Sequence, residues 1–90
     1  MISKDFTIKN ELGLHARPSA QLTQIAGRYQ SEVFIAKGGR RVNAKSIMGV
    51  MMLAAGPGSI VTVDAEGPDE QQALDAIGGL IASGFGEVHG

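Results

Sequence analysis

Between Phe6 and Ile81 the spacing of apolar residues switches repeatedly between two periods, and those switches dictate what the chain can build. Ile2, Phe6 and Ile8 alternate with polar residues, the pattern of a half-buried strand. After a break at Asn10 to Gly13, Leu22, Ile25, Ala26 and Tyr29 fall at i, i+3, i+4 and i+7, one face of a helix. Pro18 is tolerated only in the first turn of that helix, so it begins close to His15 and Ala16. Gly27 weakens its end and helps to stop it.

Val33 to Lys37 reads as a second strand, Gly38-Gly39 as a tight turn at positive φ, and Arg40 to Asn43 as the returning strand. Ser46 stands as N-cap to a short apolar helix running toward Leu53. Beyond Gly56-Pro57-Gly58, Ser59 to Ala65 forms a strand in which Ile60, Val61 and Val63 are interspersed with Thr62 and Asp64. A last helix starts within Gly67-Pro68-Asp69-Glu70 and buries Ala73, Leu74, Ile77, Leu80 and Ile81. Gly78 and Gly79 cost it about 1 kcal/mol each relative to Ala, so packing must hold it, and the tail after Phe85 frays. The order β-α-β-β-α-β-α predicts one α+β domain over residues 1–90, with a single antiparallel sheet and its helices on one face.

Composition narrows the chemistry. With no cysteine there is neither a disulfide framework nor a thiolate metal site, and two distant histidines (His15, and His89 in the loose tail) give no metal-ligand spacing. No apolar run reaches membrane-spanning length and the first residues lack a signal-peptide core, which places the protein in the cytoplasm, off the membrane. A pI of about 6.0 and a basic segment without interleaved aromatics argue against nucleic acid. Ser59 sits in a turn, not a nucleophile elbow, and Gly38-Gly39 is too short to cradle a phosphate. The chain therefore carries no independent active site and calls for no cofactor. Its charge is lopsided: all eight Lys and Arg precede Ser46 and, against three acids there, leave that half at +5, while the rest holds six acids and no Lys or Arg. This describes either two solvated faces of opposite sign or a basic surface that steers toward an acidic partner or a phosphate.

Gly13-Leu14-His15-Ala16-Arg17-Pro18-Ser19-Ala20 carries the sharpest signal. It sets an imidazole at a helix start, where backbone N–H groups without intrahelical partners and the helix dipole attract an anion. Arg17 adds a planar donor set for phosphate oxygens, and both features disfavour imidazolium relative to the nucleophilic neutral ring. Ala16, Ser19 and Ala20 are small enough to let another surface approach. Such a site can accept a phosphoryl group and release it again, provided its grip stays moderate.

This segment resembles the phosphorylation site of HPr, the histidine-containing phosphocarrier family of the bacterial phosphoenolpyruvate-dependent phosphotransferase system. The resemblance runs from about Lys4 to Phe85. It implies an open-faced sandwich, a four-stranded antiparallel sheet with three helices on one face. It also implies that His15 takes a phosphoryl group on Nδ1 from enzyme I and passes it to a histidine of enzyme II A domains, with Arg17 assisting. The carrier would work as a monomer.

Lys45-Ser46-Ile47-Met48-Gly49-Val50-Met51 is a second signature. From spacing alone Ser46 is a helix cap and the methionines are core, although Ile47, Met48 and Met51 are more apolar than a short surface helix needs. The wording is similar to the family versions that an HPr kinase/phosphorylase modifies at the serine matching Ser46. The resemblance further implies a docking patch for enzyme I and enzyme II domains built from Leu14, Ala16, Ala20, Ile47, Met48 and Met51. Gly67-Pro68-Asp69-Glu70 and Ile81-Ala82-Ser83-Gly84-Phe85 are similar to the nitrogen-related branch of the family. Two other readings stand beside the free carrier: a regulatory interaction module controlled through Ser46 without carrying phosphate, and a carrier domain of a larger phosphotransferase polypeptide. Family members that do not carry phosphate lack the histidine, and this chain keeps it.

Overall fold

The computed structural model describes residues 1–86. Its elements are β1 (Ile2–Thr7), α1 (Ala16–Ala26), β2 (Glu32–Lys37), β3 (Arg40–Asn43), α2 (Ile47–Met52), β4 (Ile60–Glu66) and α3 (Glu70–Ala82), followed by a tight turn at Gly84–Gly86. The four strands form one antiparallel sheet in the order β1-β4-β2-β3, with β4 inserted between the first two. The helices cover one face, as the element order predicts. Among the described residues no helix is long and apolar enough to cross a membrane.

Register decides which residues form the core. Ile2, Ala65 and Val33 lie in one cross-strand row, and Val63, Ile35 and Val42 in the next. These rows face α1 and α3, whose Leu22, Ala26, Ala73, Ile77 and Ile81 are fully buried. The tight turn adds Phe85, buried at a φ of 60°. The same two-residue period assigns the faces of β4. Ile60 belongs with Thr62 and Asp64 on the open face and is 62% exposed, while Val61 and Val63 point inward. Leu80 is likewise only partly buried, at the margin of the α3 stripe.

On the open face, Arg41 forms a two-pronged ion pair with Asp64 (2.7 and 3.2 Å) and lies 3.8 Å from the centre of the Phe34 ring. That cover explains why Asp64 is buried on the side of the sheet that faces solvent.

Two glycine expectations resolve differently. Gly38 and Gly39 are both left-handed (φ 55° and 86°), as a two-residue turn matched to strand twist requires. Gly27 follows α1 with a right-handed φ of −67°, so the helix stops there without a left-handed cap. Gly78 has a packing reason: a Cβ there would come within 2.7 Å of the Phe6 ring. The expectation for the tail falls mainly on residues 87–90, His89 included, which lie outside the described residues.

The start of α3 is tied to the α1–β2 connection. Asp69 accepts hydrogen bonds from the Gln30 and Ser31 amides (2.9 Å each) and from the Ser31 hydroxyl (2.5 Å). The Ser31 hydroxyl first, then the Gln30 amide, hold the Asp69 carboxyl below its usual range. A carboxylate with a lowered folded-state pKa adds stability above its unfolded pKa, and that stability is lost as pH falls through the folded value. The thermal midpoint should therefore drop below about pH 4. Asp69→Asn, which turns an N–H donor toward other donors, should melt lower than wild type at neutral pH, with the gap narrowing in acid. Melting curves across that range check both. A second prediction concerns Ala54, which is left-handed (φ 51°) despite its Cβ. Ala54→Gly should raise stability by about 0.5–1 kcal/mol in urea unfolding, after the extra freedom of glycine in the unfolded chain is offset.

Candidate functional site

His15 is the N-cap of α1, in extended conformation (φ −78°, ψ −169°), and its carbonyl accepts the first helical bond from the Ser19 amide at 3.0 Å. The amides of Ala16 and Arg17 thus lie outside the helical ladder. Pro18 occupies the third helical position and has no N–H, so this helix start offers one amide fewer than an ordinary one. Arg17 is exposed and forms no ion pair among the described residues, whereas Arg41 is committed to Asp64.

The chain leading to His15 is pinned rather than loose. The Gly13 amide donates to the Asn10 carbonyl (3.0 Å), and the Asn10 side-chain amide donates to the Gly13 carbonyl (2.6 Å). The Leu14 amide donates to the Ala55 carbonyl at 2.8 Å, and the Ser19 hydroxyl donates to the Leu14 carbonyl at 3.1 Å. Gly13 has φ 65°, and a Cβ there would lie 2.2 Å from the Ala55 carbonyl oxygen. Only glycine satisfies both the backbone angle and the close approach.

Ser46 caps α2 as the sequence predicts, its hydroxyl accepting from the Gly49 amide at 3.1 Å. It is exposed. Gly49 packs closely here, since a Cβ would stand 3.3 Å from Val42 and 3.4 Å from the Ser46 hydroxyl. At the other end, Arg40 and Lys37 donate to the carbonyls of Met52 (3.4 Å) and Ala54 (3.3 Å), placing cations where the helix dipole is negative. The six-residue helix is about 9 Å long. Ser46 therefore lies at one end of α2, and the segment that seats the His15 loop lies just past the other.

The six residues assigned to a docking patch divide. Ile47 (42% exposed), Met48 (70%) and Met51 (38%) present themselves to solvent, which excludes the core alternative for these methionines. Ala16 is exposed and Ala20 partly so. Leu14 is not available: it is 4% exposed, because its backbone bond to Ala55 turns the side chain into the core. Ser19, read as leaving room for a partner, is fully buried and holds the Leu14 carbonyl. Met52 (59% exposed) and Leu12 (72%) join the exposed apolar set although the sequence did not single them out. In a helix this short only Val50 is buried, so no periodicity separates Met52 from the core. Among the described residues no cluster of side chains could hold a metal.

A family model described as "PTS HPr component phosphorylation site" matches residues 2–83. The chain is 62% identical over 87 residues to the phosphocarrier protein HPr of Cupriavidus necator, covering 97% of this chain and 98% of the relative. It is 52% identical over 77 residues to the HPr-like protein Crh of Halalkalibacterium halodurans, covering 86% of this chain and 92% of the relative. The crystal structure of HPr-C-His from Thermoanaerobacter tengcongensis superposes with a TM-score of 0.95 at 45% identity, covering 99% of this chain and all of the other. A likeness this close, unbroken from the first strand to the last helix, makes the chain a member of the HPr family of the phosphotransferase system.

Proposed function

We propose that the protein is a phosphocarrier whose phosphoryl group rides on His15. The observation that carries this reading is the placement of that one imidazole. It stands at the positive end of an eleven-residue helix, on a pinned backbone, with the exposed guanidinium of Arg17 two residues away. A ring nitrogen of neutral His15 attacks the phosphorus of charged enzyme I, so a P–N bond forms as the bond to the donor breaks. The amides of Ala16 and Arg17 and the Arg17 guanidinium face the negative charge that arrives. In the second step a histidine of an enzyme II A domain attacks the same phosphorus, and His15 leaves as neutral imidazole. No residue of this chain need supply a further proton or metal.

The docking surface in this reading is Ala16, Ala20, Ile47, Met48, Met51 and Met52. Methionine suits a surface that must fit several partners in turn, because its unbranched chain repacks at little cost. Lys37 and Arg40, at the end of α2, give the patch a positive margin that favours acidic partners.

Ser46 serves as the regulatory position, modified by an HPr kinase/phosphorylase. It is exposed beside Ile47 and Met48, so a phosphate there adds about −1.5 to −2 charges inside the apolar patch. The helix start tolerates that charge, while an acidic partner docking on the patch is repelled.

Intact mass after incubation with enzyme I, phosphoenolpyruvate and magnesium should show one added acid-labile phosphate on wild type and none on His15→Ala. No phosphate on wild type, with an active cognate enzyme I, would leave only the interaction module. Ser46→Asp keeps a competent cap and should fold normally. Its phosphorylation by enzyme I should slow by about tenfold or more, the equivalent of 1.4 kcal/mol in docking. A wild-type rate would remove Ser46 from regulation.

A further inference from the structure

We propose that Asn10 is a positioning residue for phosphoryl transfer at His15, acting through the peptide that joins Gly13 to Leu14; the inference rests on the carrier reading. Asn10 is fully buried, one of four buried polar residues in the described structure. Its side-chain nitrogen lies 2.6 Å from the Gly13 carbonyl oxygen. Only the nitrogen can face that oxygen, because the reversed amide would set two acceptors against each other. The side-chain oxygen of Asn10 is buried and has no hydrogen-bond partner among the described residues. Such an orphan is costly, so the amide is held here by what its nitrogen does.

That nitrogen fixes one end of a peptide plane whose other end is already fixed. The Gly13 carbonyl and the Leu14 amide belong to one rigid unit. Asn10 holds the carbonyl and Ala55 holds the amide at 2.8 Å. The following carbonyl, of Leu14, is held by the fully buried Ser19 at 3.1 Å. The two peptides that precede the His15 Cα are thus clamped from three directions, by residues before, within and beyond α1. The backbone that carries the imidazole is thereby held in place. In-line transfer between two proteins requires the accepting nitrogen to arrive within a fraction of an ångström and a narrow cone, which is the freedom such clamping removes. Asn10 touches neither phosphate nor partner, so its effect falls on transfer within the complex and not on docking.

The test compares wild type, Asn10→Asp and Asn10→Ser as substrates of enzyme I with phosphoenolpyruvate, giving kcat and KM for the carrier. Folding is checked by amide NMR spectra and thermal midpoints, and rates are scaled to the folded fraction. Asn10→Asp keeps the shape but sets a carboxylate oxygen against the Gly13 carbonyl. Asn10→Ser withdraws the donor without adding charge. The expected result is a kcat lowered about 10- to 100-fold with KM within about twofold of wild type in at least one folded variant. A wild-type kcat in every variant that folds, or a loss confined to KM, overturns the proposal. So does failure of both variants to fold, which would make Asn10 a folding residue. If wild type itself takes no phosphate, the carrier reading is what fails, and the role of Asn10 falls with it.

Discussion

The structure turns on a seam where two loops meet with no space for a side chain between them. Leu14 donates to the Ala55 carbonyl, and Gly13 stands where any Cβ would come within 2.2 Å of the same oxygen. The seam extends the pairing of β1 with β4, since Ile8 donates to the Ser59 carbonyl and accepts from the Gly58 amide at 2.8 Å each. Sheet pairing is thereby carried past the end of β1 to the threshold of α1. The helix start inherits its place from the sheet, and His15 inherits its place from the helix start. No such rigidity could come from α1 alone, because an isolated eleven-residue helix is marginal in water.

The same seam joins two surfaces with different tasks. On one side is the His15 backbone; on the other is the segment that ends α2, which bears the exposed methionines and, at its far end, Ser46. Cations from the β2–β3 hairpin hold that segment by its carbonyls, so sheet, α2 and the His15 loop form one frame. What varies is the side-chain layer above it. Met48 and Met52 are largely solvent-exposed and can repack against different partners, while the backbone at the end of the helix is tied to the hairpin through the Met52 and Ala54 carbonyls. A carrier that meets several enzymes needs adaptability in contact and constancy in reaction geometry, and this division supplies both.

How far the sequence discloses this arrangement depends on the range of each interaction. Pro18 locates the start of α1 because the constraint is local, and Gly38-Gly39 and Ser46 are legible for the same reason. His15 stands out because Gly, Arg, Pro and small residues surround it within a few positions. Gly13 reads only as a loop glycine, since its contact, Ala55, lies far along the chain. Asn10 passes as a loop polar residue until burial shows its amide enclosed. Leu14 and Ser19 sit in sequence beside His15 and Ala16, and adjacency in sequence suggests adjacency at the surface. At a helix start the chain turns too sharply for that, and His15 and Ala16 face outward while Leu14 goes into the core. Ile60, β-branched and apolar, fits a strand on propensity, and only the register fixes its face.

In the proposed carrier, the weakness of the anion site is as informative as its presence. A helix start that leads with three free amides can hold phosphate firmly, as dedicated phosphate-binding loops do. Here Pro18 removes the third amide, leaving Ala16 and Arg17 to face the charge from the backbone. The remaining strong donor, the Arg17 guanidinium, sits on a flexible exposed side chain that can turn toward a partner's phosphate as readily as toward this one. A resident phosphate site would gain from the missing amide. A carrier would lose by it, because every increment of grip on the phosphoryl group adds to the barrier for handing it on. The proline that fixes the helix start thus also keeps the site from holding too well, and rigidity of position is obtained without tightness of binding.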